Sequence, residues 1–356
     1  MSSVKESIAT RAAEQGFVGL WEIVGEVEAT QPQQGFVPYI WRWSSLKPLL
    51  DEVGANITLE DADRRVVIMS NPGARRKHHS TNTLYLSCSI YNPGESAPVH
   101  RHTSNASRFV LEGSGGFTTI EGEKCPMSRG DLILTPAGTW HDHGNEGTEP
   151  VIWVEVLDLP LVENLSVSNF EFDYHERDAA GKPVRKEVQT VTHPQGHSYN
   201  LYGSGGLLPT FVDHQRGQSV GTPMFVYRWS DAKAALQRLR GMQGSPYDGI
   251  MLEYVNPATG GPVTTTTSFC VQLLRPGERT QAHRQTCSTA YCCLEGRGRT
   301  VVGDTVMEWG PNDMFVVPSW MPHRHENLSA TEDACLYSVS DAPAIRRLDL
   351  YREEPA

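Results

Sequence analysis

No run of apolar residues approaches the roughly 20 that a membrane span requires. The opening Met1-Ser2-Ser3-Val4-Lys5-Glu6-Ser7 lacks the apolar segment of a secretory signal. Positive charge is also scarce: the formal net charge is −11, and Arg75-Arg76-Lys77-His78-His79 reads as a short solvated loop. This argues against a sequence-independent nucleic-acid binder and against a membrane-surface protein. The seven cysteines are scattered, without a C-x-x-C spacing, and Cys292-Cys293 are adjacent. They read as small buried hydrophobes kept reduced, which together with the missing signal predicts a cytoplasmic location.

What the chain does contain is short β-strands and turns. At 356 residues it is long enough for two or three domains. Residues 4–28 have helical apolar spacing, and 44–53 predict a short helix capped by Ser44 or Ser45. From residue 64 the texture turns to β: 83–91, 107–111, 116–120, 131–135 and 151–156 read as strands between Gly and Pro turns. The expected organisation is an N-terminal helical extension (1–63), a β-barrel (64–160), a polar linker with a short helix (161–245), a second barrel (246–345) and a tail (346–356). The fold class is all-β, two tandem jelly-roll-type barrels with N-terminal and connecting helices.

Two His-x-His pairs punctuate the first barrel, His100-Arg101-His102 and His141-Asp142-His143. Residues i and i+2 of a strand face the same side, so four imidazoles can converge inside one barrel. Neutral imidazole suits Fe, Zn, Cu or Ni, and the pattern predicts a mononuclear metal site. A metal-free structural barrel is the alternative.

The second β block repeats the first. His283-x-Gln285 lies 183 residues after His100-x-His102, and His323 lies 182 after His141. Duplication of a barrel explains this. Its ligand set is incomplete: Gln285 replaces one histidine, and Asn312 and Trp320 replace two motif glycines. A structural and assembly role is expected for it, while a second metal at His283, Gln285 and His323 stays open.

The first half carries G-x5-H-x-H and then G-x5-P-x-G-x2-H-x3-N from Gly130 to Asn145. This resembles the cupin pattern, with Ala106 or Ser107 where its glutamate ligand would stand. The whole chain resembles the bicupin gentisate and salicylate 1,2-dioxygenase family, which includes 1-hydroxy-2-naphthoate dioxygenases. The match runs through Val37-Pro-Tyr-Ile-Trp-Arg-Trp-Ser44, Asn71-Pro-Gly73, Arg108-Phe-Val-Leu-Glu-Gly113, Trp140-His-Asp-His-Gly-Asn145, Tyr254-Val-Asn-Pro-Ala-Thr-Gly-Gly261 and Asp313-Met-Phe-Val-Val-Pro-Ser-Trp320. The resemblance implies Fe(II) on His100, His102 and His141, with Arg108, His143 and Arg64 engaging substrate. It also implies a homo-oligomer, a tetramer, that acts on a small aromatic acid with O2.

Charge arithmetic agrees. Three neutral imidazoles leave a divalent metal its full charge, which favours a chelating dianion such as a carboxylate plus ortho-phenolate. Arg108 can clamp the carboxylate, Arg64 can serve the same anion, and His143 can move protons. Each has a bland alternative: a structural ion pair for Arg108, a hydrogen-bonded structural histidine for His143, and Arg65 in place of Arg64 by strand parity. Trp140, beside a ligand, reads as wall or packing.

Tyr85, Ser87 and Ser89 alternate along one strand where the family tends to carry tryptophan, alanine or glycine, and glutamine. Glu155 stands where an aspartate is usual, one that can meet a 5-hydroxyl in gentisate enzymes. The altered wall points to a 5-substituted salicylate such as 5-nitrosalicylate, although an ionised Glu155 would repel a nitro group. The alternatives are gentisate or 1-hydroxy-2-naphthoate cleavage, and a non-catalytic or non-oxygenase metal-binding bicupin.

Overall fold

The computed structural model describes residues 2–33, 35–62, 64–205, 207 and 221–356. The chain divides into an N-terminal unit, Met1–Gly35, and a main unit, Phe36–Ala356. The N-terminal unit holds two helices, Ser2–Ala13 and Leu20–Val27; Gly19 N–H donates to Glu22 at 2.8 Å to fix the start of the second. Residues 206 and 208–220 of the expected linker lie outside the described residues.

The main unit contains two copies of one sandwich. In the first, a six-stranded sheet runs in the order Val226–Tyr227, Leu132–Thr135, Ala106–Glu112, Val151–Leu157, Tyr85–Tyr91, Val66–Ile68. The second sheet runs Phe170–Glu171, Ser96–His102, His141–Asn145, Gly116–Ile120, Glu123–Pro126. The later half repeats this as a six-stranded sheet from Tyr39–Trp41 to Ile250–Glu253 and a five-stranded sheet from Thr305–Trp309 to Glu353–Pro355.

Period-2 alternation assigns each side chain to a core. From the strand Tyr85–Tyr91, Leu86, Cys88 and Ile90 enter a large apolar cluster shared by the two halves, with Phe109, Leu111, Val154, Phe269, Cys292 and Tyr337. The intervening residues face the first sandwich's interior, where Tyr91, Val110, Ile120, Ile133 and Trp153 pack. Leu274, Tyr291, Trp309 and Phe315 do the same in the second. Both six-stranded sheets are therefore buried on both faces, which fits their nearly continuous apolar runs.

The halves also exchange leading segments. The strand Tyr39–Trp41 joins the second half's sheet through Met314–Val317, and Val226–Tyr227 joins the first half's through Leu132–Thr135. An Arg-Trp-Ser triplet follows each strand, at 42–44 and 228–230, and opens the helices Trp43–Asn56 and Trp229–Leu239. The expected caps were Ser44 or Ser45, but the cap comes from across the structure. Asp313 accepts from the Trp43 N–H at 2.7 Å and from Arg42 at 3.2 Å. Asp131 accepts from the Trp229 N–H at 3.0 Å and from Arg228 at 2.5 Å. A carboxylate at a helix start satisfies orphan N–H groups and complements the dipole. Here it also ties one half to the other.

Candidate metal centre and substrate cavity

The strands Ser96–His102 and His141–Asn145 pair antiparallel, with His100 directly opposite His141. His102 and His143 lie two residues further along, so all four rings share the interior face. Ring centroids are 4.3 Å apart for His100–His141, 4.8 Å for His102–His141 and 5.2 Å for His141–His143.

Hydrogen bonds distinguish the four. His100 donates from Nδ1 to the Pro98 carbonyl at 2.9 Å, His102 to that of Ser104 at 2.8 Å and His141 to that of Thr139 at 2.9 Å. A carbonyl only accepts, so each ring carries its proton on Nδ1 and turns an Nε2 lone pair inward. Among the described residues the buried Nε2 of His141 has no hydrogen-bond partner, which a ligated ion would explain. His143 differs although it too comes within ligating distance of His100 and His141. Its Nε2 accepts from Arg108 at 2.8 Å, and its Nδ1 donates to Thr118 Oγ1 at 3.1 Å. The His143 ring is thus fixed by side chains rather than by a backbone carbonyl, and one ligand nitrogen each from His100, His141 and His143 falls within 4.8 Å of the others.

Burial holds every ring neutral, the form that ligates. It lowers His102 to about 4 and takes His100, His141 and His143 well below the ordinary value, with Arg64, His100 and Arg108 respectively as the next contributors.

Beside these rings is a cavity of about 250 Å³, lined by Arg64, Tyr85, Arg108, His143, Glu155 and Phe170 among others. This suits a single aromatic ring rather than a drug-sized ligand, whose pockets run from about 300 to 1,000 Å³. Arg64 Nη1 reaches His100 Nε2 at 3.1 Å. Its neighbour Arg65 turns away into a buried bond with Glu95 and into the Gly54 and Ile57 carbonyls at 3.2 and 3.1 Å, which settles strand parity in favour of Arg64 at the cavity. Arg108, almost fully buried, also donates to Thr135 Oγ1 at 3.2 Å and lies 3.3 Å from Glu155. Glu155 accepts from Trp153 Nε1 at 2.9 Å. Two cations against one anion leave the cavity positive, and burial pushes the Tyr85 hydroxyl up to about 12.

Three expected wall residues stand elsewhere. Trp140 packs on Tyr174 at 5.1 Å and under Arg101 at 4.6 Å, outside the cavity. Ser87 and Ser89 share the inward face with Tyr85 but lie buried behind the lining. Conversely Phe170, from the stretch expected to be linker, reaches the cavity: its strand pairs with Arg101 and His102, and its ring lies 5.1 Å from His102. No periodicity in 161–220 signalled it.

A cupin-domain profile matches residues 88–157 and 270–340, one copy in each half. The chain is 38% identical to gentisate 1,2-dioxygenase 1 from Aquipseudomonas alcaligenes over 94% of this chain and 91% of that one. It is 39% identical to 5-aminosalicylate 1,2-dioxygenase from Comamonas sp over 94% and 86%. The crystal structure of salicylate 1,2-dioxygenase from Pseudoaminobacter salicylatoxidans with gentisate superposes with a TM-score of 0.87 at 31% identity, covering 98% of this chain and 93% of that one. The chain belongs to the bicupin gentisate and salicylate 1,2-dioxygenase family. It is thus an oxidoreductase that incorporates O2, and its buried histidines form a metal site. Among the described residues no helix is long and apolar enough to cross a membrane.

Proposed function

We propose that this dioxygenase holds Fe(II) on His100, His102 and His141 and opens a monocyclic salicylate-type acid between its carboxyl- and hydroxyl-bearing carbons. The observation that carries this reading is the set of three imidazoles with Nδ1 tied to backbone carbonyls, facing a positive cavity. The ion, when bound, supplies positive charge for a chelating carboxylate and phenolate and the redox chemistry that O2 needs. The remaining work falls to the chain. Arg64 and Arg108 neutralise the carboxylate, and Arg108 is pre-aimed by Thr135 and Glu155. His143 Nε2 accepts from Arg108 in the structure, and a substrate hydroxyl takes that place when Arg108 turns to the carboxylate. Thr118 holds the ring in this tautomer. Phe170 and Leu159 keep water from the ring.

Glu155 supports a more specific reading. Its carboxylate lines the cavity and only accepts hydrogen bonds, so a 5-substituent that donates, hydroxyl or amino, suits it better than nitro. The names of the two relatives above fit this preference. A 5-nitrosalicylic acid 1,2-dioxygenase from Bradyrhizobium sp matches only 44% of this chain, at 24% identity. We therefore favour gentisate or 5-aminosalicylate over 5-nitrosalicylate as the substrate, and the family resemblance supports assembly as a homotetramer.

The test is anaerobic loading with Fe(II), then O2 uptake with gentisate, 5-aminosalicylate, salicylate and 5-nitrosalicylate. Turnover is expected to be fastest with the two donor-substituted acids. A preference for 5-nitrosalicylate would overturn the substrate assignment, and no uptake with any of the four would overturn the function.

A further inference from the structure

Away from the cavity, the loop between the strands Val66–Ile68 and Tyr85–Tyr91 lies against the short helix Leu159–Asn164. Asn164 donates to the Asn82 carbonyl at 3.2 Å and fixes the contact. Two adjacent histidines of the loop aim the same nitrogen at one carboxylate of the helix. His79 Nε2 lies 2.9 Å from Glu163 Oε2, and His78 Nε2 lies 3.0 Å from Oε2 and 3.1 Å from Oε1. The rings stand almost perpendicular, at 86°, with centroids 4.6 Å apart. One ligand atom from each of the three residues falls within 4.8 Å of the others.

This arrangement is more than a surface ion pair. Arg76 Nη1 also reaches Oε2, at 3.0 Å, so that one oxygen receives three donors for its two lone pairs. Burial pushes the Glu163 carboxyl up, but His79, His78 and Arg76 outweigh it and hold the group at about 2. The carboxylate is thus ionised throughout the physiological range. His79 is nearly buried, while His78 is partly open to solvent and gives an ion a way in. Arg76 is 57% exposed and leaves the carboxylate at little cost.

We propose that His78, His79 and Glu163 form a second divalent-metal site, separate from the histidine triad and suited to zinc. Four ligands at about 2.0–2.1 Å around a tetrahedral ion sit roughly 3.3–3.4 Å from one another. The observed nitrogen–oxygen separations need only a few tenths of an ångström of opening to admit it. Two imidazoles and one carboxylate leave the fourth position to water, and the ion displaces the Nε2 protons on binding. The site pins the helix whose first residue, Leu159, lines the substrate cavity.

The test is zinc binding to the Fe(II)-loaded enzyme, with the wild type beside His78→Ala and Glu163→Gln. The wild type is expected to take up about one zinc per chain beyond its iron. His78→Ala is expected to weaken that uptake at least tenfold while iron content and O2 uptake stay unchanged. Glu163→Gln is expected to weaken it as well. Because His78 is partly exposed, its substitution leaves the fold intact and decides the matter even if Glu163→Gln folds poorly. No zinc beyond the iron, or uptake that His78→Ala weakens less than tenfold, would overturn the proposal. Because His78→Ala leaves the triad untouched, a loss of zinc in that variant with iron content unchanged reports on this site and not on the triad.

Discussion

The two halves of this chain share one architecture, yet among the described residues only the first carries this row of charges across its sheet. In the first half Ser87, Glu155, Arg108 and Ile133 stand side by side on neighbouring strands. The corresponding row in the second half is Cys270, Ser338, Tyr291 and Phe315. Tyr291 stacks on Phe315 at 4.8 Å and lies 5.0 Å from His325, filling the space where Arg108 meets His143. The inward histidines survive as His283, His323 and His325, and His325 even keeps its threonine partner, Thr300 at 2.9 Å. Gln285 stands where the first half has His102, and His283 turns its Nδ1 to Glu353 of the C-terminal strand at 2.9 Å. The second half thus keeps inward imidazoles, while a glutamine stands in the place of His102 and an aromatic stack in the place of Arg108.

The largest expected effect follows from removing corresponding ligands. His141→Ala should abolish bound iron and O2 uptake, whereas His323→Ala at the equivalent position should leave both near wild type; metal analysis and an oxygen electrode report this. Arg108→Lys keeps the charge but loses the planar fork. It should raise KM by about 10- to 100-fold, the equivalent of one or two charged hydrogen bonds, in steady-state kinetics with gentisate.

The exchanged helix caps probe the seam between the halves. Asp313→Ala and Asp131→Ala should each lower stability by about 1–2 kcal/mol, read as a fall in denaturation midpoint. Equal losses would mark the two seams as equivalent. The smallest effect concerns acid. Burial first, and His283 second, lower His323 from 6.5 to about 4, so the folded second half keeps this ring neutral while the unfolded chain protonates it. Stability contributed by neutral His323 is complete above pH 6.5 and is lost as pH falls toward 4. His323→Asn should flatten the dependence of the thermal midpoint on pH across that window.

Much of the site was legible in the sequence because it follows strand alternation. His100 and His102, His141 and His143, and Tyr85, Ser87 and Ser89 share faces as a period of two requires. Trp140 misled because it precedes the strand His141–Asn145 and turns outward to Arg101 and Tyr174. Phe170 was invisible because its place comes from long-range pairing with the His102 strand rather than from any local pattern. The reciprocal caps were readable in retrospect, from the Arg-Trp-Ser triplet at 42–44 and 228–230. Their partners Asp131 and Asp313 lie far off in sequence. The substituted glycines show tertiary context overriding local preference. Gly130 and Gly138 have positive φ, and the second half keeps that backbone with Asn312 at 66° and Trp320 at 61°. The strain at Trp320, on the order of 1 kcal/mol, is offset by Arg284 and Arg352 stacked on its ring at 4.6 and 5.0 Å.

The most direct measurement makes the first half resemble the second at one ligand. His102→Gln copies Gln285 into the first sandwich at nearly the same side-chain volume. Iron content and O2 uptake with gentisate, measured on the folded variant after anaerobic loading, should both fall to background. Retention of both would contradict a three-histidine iron centre.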